Sequence, residues 1–320
     1  MKITWFSGRR LHGLAVSLIL VVVGYLAFAQ WSGWEKFFSA VKMVGVAWLG
    51  LLLMLSLLNY GLRFVRWQNY LGVLGTNLPF TLSALIYVAG FALTMTPGKA
   101  GEMYRGVFLK SYGMTYTHST VAFVSERLSD LLAIVLLAML GVVFIPHWGI
   151  MVFAGMIIII MSLVLLSHSR ILVIFSNKLA NRPGWLARAS QHGLVLLMEA
   201  RCCHTPRILL SATLLSILAW SAEASAFYII LHRIGFNASL PFAFAVYALA
   251  ALAGALSFLP GGLGGTEAVM VGLLLMGGMP EAQAIAATVV IRLTTLWFAV
   301  SLGVMALVVG RRALLIGTDD

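Results

Sequence analysis

Long apolar runs dominate this chain, and short polar stretches separate them. A helix needs about 20 consecutive apolar residues to cross the hydrocarbon core of a bilayer. Six runs approach or exceed that length, near residues 11–30, 44–62, 118–145, 150–167, 207–231 and 281–309. The pattern therefore predicts an all-α polytopic membrane protein with about six full transmembrane helices.

Two further apolar segments end at Pro-Gly sequences. Segments 80–96 and 240–259 run directly into these breaks, and the shorter apolar segments 101–113 and 267–278 follow them. Irregular backbone at membrane depth is tolerated only where protein or a watery cavity surrounds it. Each pair therefore either contains a crossing helix that ends at the break or forms a hairpin that enters and leaves on one face.

The distribution of basic residues favours the hairpins. The stretch 168–206 is rich in arginine, and cytoplasmic loops carry an excess of Lys and Arg. If 80–96 crossed alone, this stretch would lie on the opposite side from the basic N-terminus. If 80–113 and 240–278 are both re-entrant, the stretch and both basic termini lie on one side. We therefore predict two re-entrant hairpins, the first entering from the cytoplasm, and cytoplasmic N- and C-termini.

Composition agrees with this class. The chain of 320 residues is 61% hydrophobic and 10% charged, which a soluble domain could not accommodate. Loop orientation explains the net charge of +11 better than a nucleic-acid or other anionic macromolecular partner does. Cys202 and Cys203 are adjacent and lack metal-ligand spacing, so we interpret them as reduced thiols. No motif indicates a metal, a cofactor or a catalytic triad.

The two Pro-Gly breaks belong to a repeated motif. The first reads TPGKAGE (96–102) and the second LPGGLGGTE (259–267). Each ends in a glutamate, and an arginine followed by leucine and a hydroxyl residue comes 25 residues later: Glu102 precedes Arg127, and Glu267 precedes Arg292. Because the first unit is predicted to enter from inside and the second from outside, this is the pattern of inverted repeats in secondary transporters.

This repeat predicts the organisation of the chain. We expect a single transmembrane domain over 1–320. Repeat one covers about 44–145 with its re-entrant part at 80–113, and repeat two covers about 207–309 with its re-entrant part at 240–278. The basic stretch 168–206 is the cytosolic loop between them.

Charged residues within the predicted membrane segments need partners. They comprise five acids and two bases: Glu102, Glu126, Asp130, Glu223, Glu267, Arg127 and Arg292. Left unpaired at about 3 kcal/mol each, they would cost on the order of 20 kcal/mol. Glu102 and Glu267 are the expected partners of the two arginines, and Arg127 and Asp130 are three residues apart on one helix face.

These pairs have two interpretations. They hold each hairpin to its long helix, or the arginines also bind an anion through the guanidinium fork, which suits phosphate. In the second case exposed N–H groups of the glycine runs contribute to an anion site, since helix N-termini favour negative charge. The candidate substrate-binding residues are Glu102, Arg127, Asp130, Glu223, Glu267 and Arg292, the glycines Gly98, Gly101, Gly261 and Gly265, and Lys99 and Arg105 as a cationic mouth.

The same motifs resemble a known family. TPGKAGEMYRG, ERLSDLLA, LPGGLGGTEAVMVGLLL and ATVVIRLTTLW are similar to the transmembrane region of lysylphosphatidylglycerol synthases, the flippase-like family, from about residue 11 to 310. The resemblance implies movement of a lipid between leaflets. It also implies importance for ten positions: Pro97, Gly98, Glu102, Arg127, Asp130, Pro260, Gly261, Gly265, Glu267 and Arg292. The soluble aminoacyl-transferase domain of the synthases is missing from these 320 residues.

The leading hypothesis is translocation of a phosphate-bearing lipid, either a phospholipid or a polyprenyl-phosphate-linked lipid, between the leaflets of a bacterial inner membrane. A membrane-embedded enzyme acting on such a lipid is the first alternative, with Glu102 or Asp130 as its base. A non-catalytic scaffold that presents lipid to another enzyme is the second. A second copy of the chain and a lipid-synthesising enzyme are further candidate partners.

Overall fold

The computed structural model describes residues 44–141 and 195–310, together with the isolated positions 42, 153, 155–157, 161 and 193. These parts of the chain are helical and contain no β-strand. The predicted helix 11–30 and most of the predicted helix 150–167 and of the loop 168–206 lie outside the described residues. The all-α prediction is confirmed for the described residues.

The first half contains a long helix, a broken helix pair and a second long helix. Its elements are α1 (Val46–Val73), α2 (Phe80–Ala89) with the 3₁₀ turns Gly90–Leu93, a 3₁₀ segment (Pro97–Tyr104), α3 (Arg105–Lys110) and α4 (Tyr116–Met139). We call residues 80–110 helix pair one.

The second half repeats this order. After a 3₁₀ turn (Arg201–His204) come α5 (Pro206–Arg233), α6 (Leu240–Leu256), a short turn (Pro260–Gly262), α7 (Gly265–Met276), α8 (Glu281–Arg292), a π-helical turn (Leu293–Trp297) and α9 (Phe298–Val309). Residues 240–276 form helix pair two.

Three described helices have the length and composition to cross a membrane, namely Val46–Val73, Pro206–Arg233 and the continuous unit Glu281–Val309. Helix α4 is also long, at 24 residues, but every membrane-length stretch of it includes Glu126, Arg127 and Asp130. Whether each helix pair dips into the membrane from one face remains a prediction.

One predicted boundary is wrong. The apolar run 44–62 continues as helix α1 to Val73, and the extension carries Arg63 and Arg66 with less than a tenth of either residue exposed. Hydropathy ends the span where the first arginine appears, whereas the helix continues because acidic side chains of α4 neutralise both arginines, as described below.

Helices α1 and α5 end in the same way. Each has 28 residues and is followed, two residues after its last helical residue, by a glycine with positive φ, Gly75 at 77° and Gly235 at 93°. After each glycine a backbone N–H donates to the carbonyl five residues back, at 2.9 Å in both helices, the bond that defines a Schellman motif. Arg63 lies 12 residues before Gly75, and Glu223 lies 12 residues before Gly235, so the two residues occupy equivalent positions.

The two halves exchange partners. Helix α4 packs against α6 of helix pair two, and α9 packs against α2 and residues 90–93 of helix pair one. The Pro-Gly breaks of the two pairs also contact each other, and α1 packs along α5. Each long helix that follows a helix pair therefore supports the pair of the other half.

The π-helical turn lies directly after Arg292. In such a wide turn the regular bond pattern is interrupted, and carbonyl groups need other donors. Ser56 and Tyr60 of α1 supply them, with hydroxyl bonds to the carbonyls of Thr294 at 2.7 Å and Thr295 at 2.5 Å. Helix α1 thus fixes the position of the turn that carries Arg292.

The contact between α9 and helix pair one depends on Gly303. A Cβ at this position would lie 2.1 Å from the backbone nitrogen of Ala92 and 2.7 Å from the carbonyl carbon of Phe91. We predict that Gly303→Ala lowers the free energy of unfolding by about 1–3 kcal/mol, because backbone cannot yield as a side chain can. A thermal melt in detergent measures it. Gly61→Ala is the control, since nothing lies within 4 Å of its Cβ, and it should not lower the melting temperature. Equal melting of both variants would contradict the packing argument.

Candidate functional site

The carboxylate of Asp130 is the centre of a buried ion-pair network. Its Oδ1 lies 2.6 Å from Nη1 of Arg66, and its Oδ2 lies 3.4 Å from Nη2 of Arg63 and 3.3 Å from Nη2 of Arg127. The indole N–H of Trp220 donates to Oδ1 at 3.0 Å. One acidic side chain of α4 therefore binds two arginines of α1, one of its own helix and a tryptophan of α5.

Glu102 continues the network into helix pair one. Its Oε2 lies 2.8 Å from Nη2 of Arg105 and 3.3 Å from Nη2 of Arg127, and the hydroxyl of Thr94 donates to Oε1 at 3.2 Å. The predicted Glu102–Arg127 pair is thus present. Both ion pairs of Arg127 use Nη2, and its side chain is 25% exposed, while that of Glu102 is 2% exposed.

Arg105 occupies a different place from the one expected. The sequence placed it at a cationic mouth, but it is only 4% exposed and does not line the cavity described below. Its guanidinium lies 3.2 Å from Glu126 and stacks over the ring of Tyr87, 4.8 Å from the centroid. Arg105 therefore joins α3 to α4 and to α2. The spacing of charges in the sequence could not predict that Arg105 is buried or that it contacts these partners.

The second half has a smaller network. Nε of Arg292 lies 2.6 Å from Oε1 of Glu267, so this predicted pair is present too. Nη2 of Arg292 donates to the carbonyl of Gly261 at 2.8 Å. Arg127 and Arg292 are each the twelfth residue of their helices, α4 and α8. The repeated spacing thus has a repeated three-dimensional outcome.

The glycine run after Pro260 holds a carboxylate of the chain itself. Oε2 of Glu267 accepts the backbone N–H of Gly264 at 2.7 Å, just before the first turn of α7. A carboxylate at this place is stabilised by the helix dipole. The N–H groups of Gly262 and Leu263 also have backbone acceptors, at 2.9 and 3.0 Å. Glu267 therefore occupies the helix N-terminus at which the sequence suggested an external anion.

Backbone geometry explains most of these glycines. Gly261, Gly262 and Gly264 have φ of 61°, 69° and 82°, a region that side-chain-bearing residues rarely adopt. Gly265 does not have a positive φ, but a Cβ at this position would lie 3.0 Å from Cβ of Ser257. At Gly101 a Cβ would lie 2.5 Å from the carbonyl oxygen of Leu93. Alanine at Gly101 would therefore disturb packing, so a loss of activity in Gly101→Ala would not show that this glycine binds a ligand.

The two networks face one cavity of about 340 Å³. Helix pair one contributes Phe91, Thr94 and Glu102, and helix pair two contributes Tyr247 and the segment around Gly261. The charged side chains in the lining, taken over the described residues, are Arg63, Glu102, Arg127, Asp130, Glu223 and Arg292. Five of these six were predicted as site residues.

Glu223 lies on the α5 side of this cavity. It is 6% exposed, and its Oε2 accepts a short hydrogen bond from the hydroxyl of Tyr247. Tyr60 and Trp220 line the same region. The carboxylate thus lies among aromatic and hydroxyl groups, at the position equivalent to Arg63.

Sequence reasoning missed Arg63, Arg66 and the cavity aromatics. The signal was available for the two arginines, since they are three residues apart and share one face of a helix. Of the other predicted site residues, Gly101, Gly265 and Glu267 do not line the cavity. The side-chain surroundings of Gly98 and Lys99 lie outside the described part of the structure.

No group of three His, Cys, Asp or Glu side chains that could hold a metal ion occurs among the described residues. Cys202 and Cys203 are free thiols with sulfur atoms 3.9 Å apart. Burial raises the pKa of the Cys203 thiol to about 12, which keeps it protonated and unreactive at neutral pH. The charged cavity is therefore the candidate site.

The network makes a stability prediction. Asp130→Asn removes the negative charge that three arginines share, and breaking a buried ion pair typically costs about 3–5 kcal/mol. We expect a loss of that size in the free energy of unfolding, seen as a large fall in melting temperature. Glu281→Gln is the control, because Glu281 is exposed in the first turn of α8 and should change stability by at most about 1 kcal/mol. Similar melting of both variants would show that Asp130 does not hold the network together.

Comparison with known proteins fits this architecture. The sequence model of the lysylphosphatidylglycerol synthase TM region matches residues 11–303. The chain is 22% identical to a UPF0104 membrane protein of Pyrococcus horikoshii over 94% of its own length and 99% of that protein. It is 25% identical to a UPF0104 membrane protein of Methanothermobacter thermautotrophicus, over 93% of its own length and 92% of that protein. The chain is thus a membrane protein that belongs to the lysylphosphatidylglycerol synthase transmembrane-region family.

Proposed function

We propose that this protein moves a phosphate-bearing lipid between the leaflets of the bacterial inner membrane. The observation that carries the proposal is the convergence of Arg127 and Arg292, one from each half of the chain, on a single cavity. A guanidinium group binds phosphate through a planar fork of N–H donors. Two such groups at equivalent positions could bind the phosphate of a headgroup in turn, as it moves from one half of the protein to the other.

The size and borders of the cavity suit a lipid. A volume of about 340 Å³ lies at the lower end of the range for small-molecule sites, which fits a headgroup without its tails. Leu256, Phe258 and Leu259 line one edge and are 59%, 71% and 45% exposed. Exposed apolar side chains beside a charged cavity let hydrocarbon tails remain in the bilayer while the headgroup enters.

Phe258 is also strained. Its φ of 52° is the sole positive value at a non-glycine residue within the described part of the chain. Such strain concentrates at functional sites, where the surrounding structure maintains it. Together with the cavity edge, it supports a role for the Leu256–Leu259 segment in lipid entry.

The exchange of partners between the halves supports an inverted repeat. In our proposal helix pair one is a re-entrant hairpin from the cytoplasm and helix pair two is one from the outer face. Helices α1 and α5 then run in opposite directions across the membrane, and their matching C-terminal turns lie on opposite sides. Both chain termini are cytoplasmic in this arrangement, as the basic residues favour.

An enzymatic role is less well supported. The sequence offered Glu102 and Asp130 as bases, but Asp130 is bound by three arginines and Glu102 by two. A carboxylate so paired is a poor proton acceptor, because protonation would leave buried arginines without counter-charge.

Reconstitution tests the function directly. The purified protein is placed in phosphatidylethanolamine–phosphatidylglycerol vesicles that contain fluorescent phosphatidylglycerol or a fluorescent short-chain polyprenyl phosphate. Loss of fluorescence to an impermeant quencher should rise from half to nearly all of the probe if the protein exchanges leaflets. Exchange of neither probe, by protein shown to be folded, would contradict the proposal and favour the scaffold. Chemical turnover of a probe would favour the enzyme.

Arg292 is the most informative position for the mechanism. A hydrogen bond to a charged group contributes about 1.5–3 kcal/mol. We therefore predict that Arg292→Lys, which keeps the charge but loses the fork, lowers the exchange rate about ten- to hundredfold. The rate comes from the quenching time course, and a thermal melt of the same sample reports folding.

A double variant separates binding from architecture. If Arg292 only holds Glu267, then Glu267→Gln combined with Arg292→Gln should exchange lipid faster than either single variant, because no charge is left buried alone. If Arg292 binds the headgroup, the double variant stays inactive even where its melting temperature recovers. Recovery of exchange by the double variant would refute the binding role.

The topology has its own test at two equivalent asparagines. Asn77 and Asn237 are exposed, and each follows its helix-ending glycine by two residues. In a version of the protein with Cys202 and Cys203 replaced by serine, we predict that Asn237→Cys reacts with an impermeant maleimide in intact cells. Asn77→Cys should react only after the cells are opened. Labelling of both positions from outside would rule out the inverted arrangement.

A further inference from the structure

Arg63 is a cation of the cavity lining that the proposed function leaves without a role. Only 6% of the residue is exposed, and it lines the cavity. Its one ion pair joins Nη2 to Oδ2 of Asp130 at 3.4 Å, which is longer than the distance of about 2.7–2.9 Å in a typical charge-assisted bond. Nε of Arg63 is buried and makes no hydrogen bond to any described residue. Buried donors normally have partners, so this guanidinium has N–H groups available for a ligand.

Arg127 meets Arg63 at the same carboxylate oxygen. Its Nη2 lies 3.3 Å from Oδ2 of Asp130, and its Nε is likewise buried without a hydrogen-bond partner in the described part of the chain. In each side chain Nε and Nη2 form one edge of the guanidinium, and such an edge binds two oxygens of an oxyanion side-on. Because both arginines line the cavity and reach one oxygen, a single phosphate at that place contacts both.

These two arginines can turn away from their acids without leaving either acid alone. Asp130 keeps Arg66, whose Nη1 lies 2.6 Å from Oδ1, and Glu102 keeps Arg105 at 2.8 Å. Neither Arg66 nor Arg105 lines the cavity. Breaking a buried ion pair is costly when it leaves a charge without a partner, and that does not happen here. The two arginines at the cavity are therefore the members of the network that can turn toward a headgroup.

The number of guanidinium edges determines which kind of phosphate fits. Each edge takes two oxygens, so two edges on one phosphate need at least three unesterified oxygens. A phosphodiester has two such oxygens, whereas a phosphomonoester has three and carries a second negative charge near neutral pH. In the second half the position equivalent to Arg63 is Glu223, so among the described residues the pair of cavity arginines belongs to the first half alone.

We propose that Arg63 and Arg127 bind one terminal phosphate group together, so that the lipid carried by this protein is a phosphomonoester. This inference rests on the proposed lipid translocation and specifies its substrate. A small headgroup of this kind also fits a cavity of about 340 Å³. Phosphatidic acid, a glycerolipid, and a polyprenyl monophosphate, an isoprenoid, both present such a phosphate, and binding measurements distinguish these two sources.

Matched short-chain lipids test the preference without any transport. The purified protein in detergent is titrated by calorimetry with dihexanoyl phosphatidic acid and its phosphate methyl ester, and then with farnesyl phosphate and its methyl ester. We expect the monoester to bind at least about tenfold more tightly than its methyl ester, because it gains hydrogen bonds between charged groups. A preference in one pair assigns the lipid to that source, and a preference in both shows that the phosphate alone is recognised. Equal binding within both pairs would overturn the proposal.

Arg63→Lys separates a binding role from a structural one. Lysine keeps the charge but loses the two-oxygen edge, so the affinity for the monoester should fall about tenfold. The affinity for the methyl ester, which needs one edge only, should change little. Arg207→Lys is the control, because Arg207 is exposed at the start of α5 and outside the cavity lining, and both affinities should stay at wild-type values. An equal fall for both lipids, in protein that a thermal melt shows to be folded, would overturn the assignment to Arg63. If Arg63→Lys does not fold, the wild-type titrations alone decide between monoester and diester.

The two proposals fail in different ways, and vesicles that contain fluorescent phosphatidic acid or fluorescent phosphatidylglycerol distinguish them. Tight binding of a monoester by a protein that exchanges no probe between leaflets would contradict translocation, while the terminal-phosphate site itself would stand. Equal exchange of both probes, by a protein that binds monoester and methyl ester equally, would leave translocation intact and overturn the phosphomonoester proposal.

Discussion

The contact between Asp130 and its three arginines is the interaction on which the rest of this structure depends. A buried arginine in a membrane segment costs about 3 kcal/mol on insertion scales, so Arg63 and Arg66 require an acid within reach. Asp130 provides it and, through Trp220, attaches α5 as well. The long helix α1 can therefore continue past its apolar part, and its polar end becomes one wall of the cavity.

The spacing of charges predicted a large part of the site. Glutamate and arginine 25 residues apart form the Glu102–Arg127 and Glu267–Arg292 pairs, because a helix pair that doubles back brings its middle beside the next long helix. Arg63 and Arg66 were not predicted, because a hydropathy score counts every charged residue as unfavourable in a membrane segment, whether or not it has a partner. The free-energy cost of a charge in a membrane segment depends on whether a partner distant in sequence neutralises it, and here that partner is Asp130.

The glycine run shows a second limit of sequence reasoning. Its composition correctly indicates an irregular backbone beside a carboxylate. The same composition, however, fits both a binding site for an external anion and a helix whose N-terminus is capped by its own glutamate. Only coordinates show that Glu267 accepts the N–H of Gly264 and so satisfies the start of α7 internally. The placement of Arg105 has the same cause: its guanidinium lies over aromatic rings whose proximity comes from the tertiary fold.

The exchange of partners between the two halves has a consequence for biogenesis. Residues 90–93 contact α9, and Ala92 and Gly303 are more than 200 residues apart in the chain. At a synthesis rate of about 5–20 residues per second, the first helix pair waits about 10–40 s for its packing partner to leave the ribosome. During that interval its 3₁₀ turns lack the helix that packs against them in the folded protein. The first half of the chain therefore cannot reach its final packing before α9 has been synthesised.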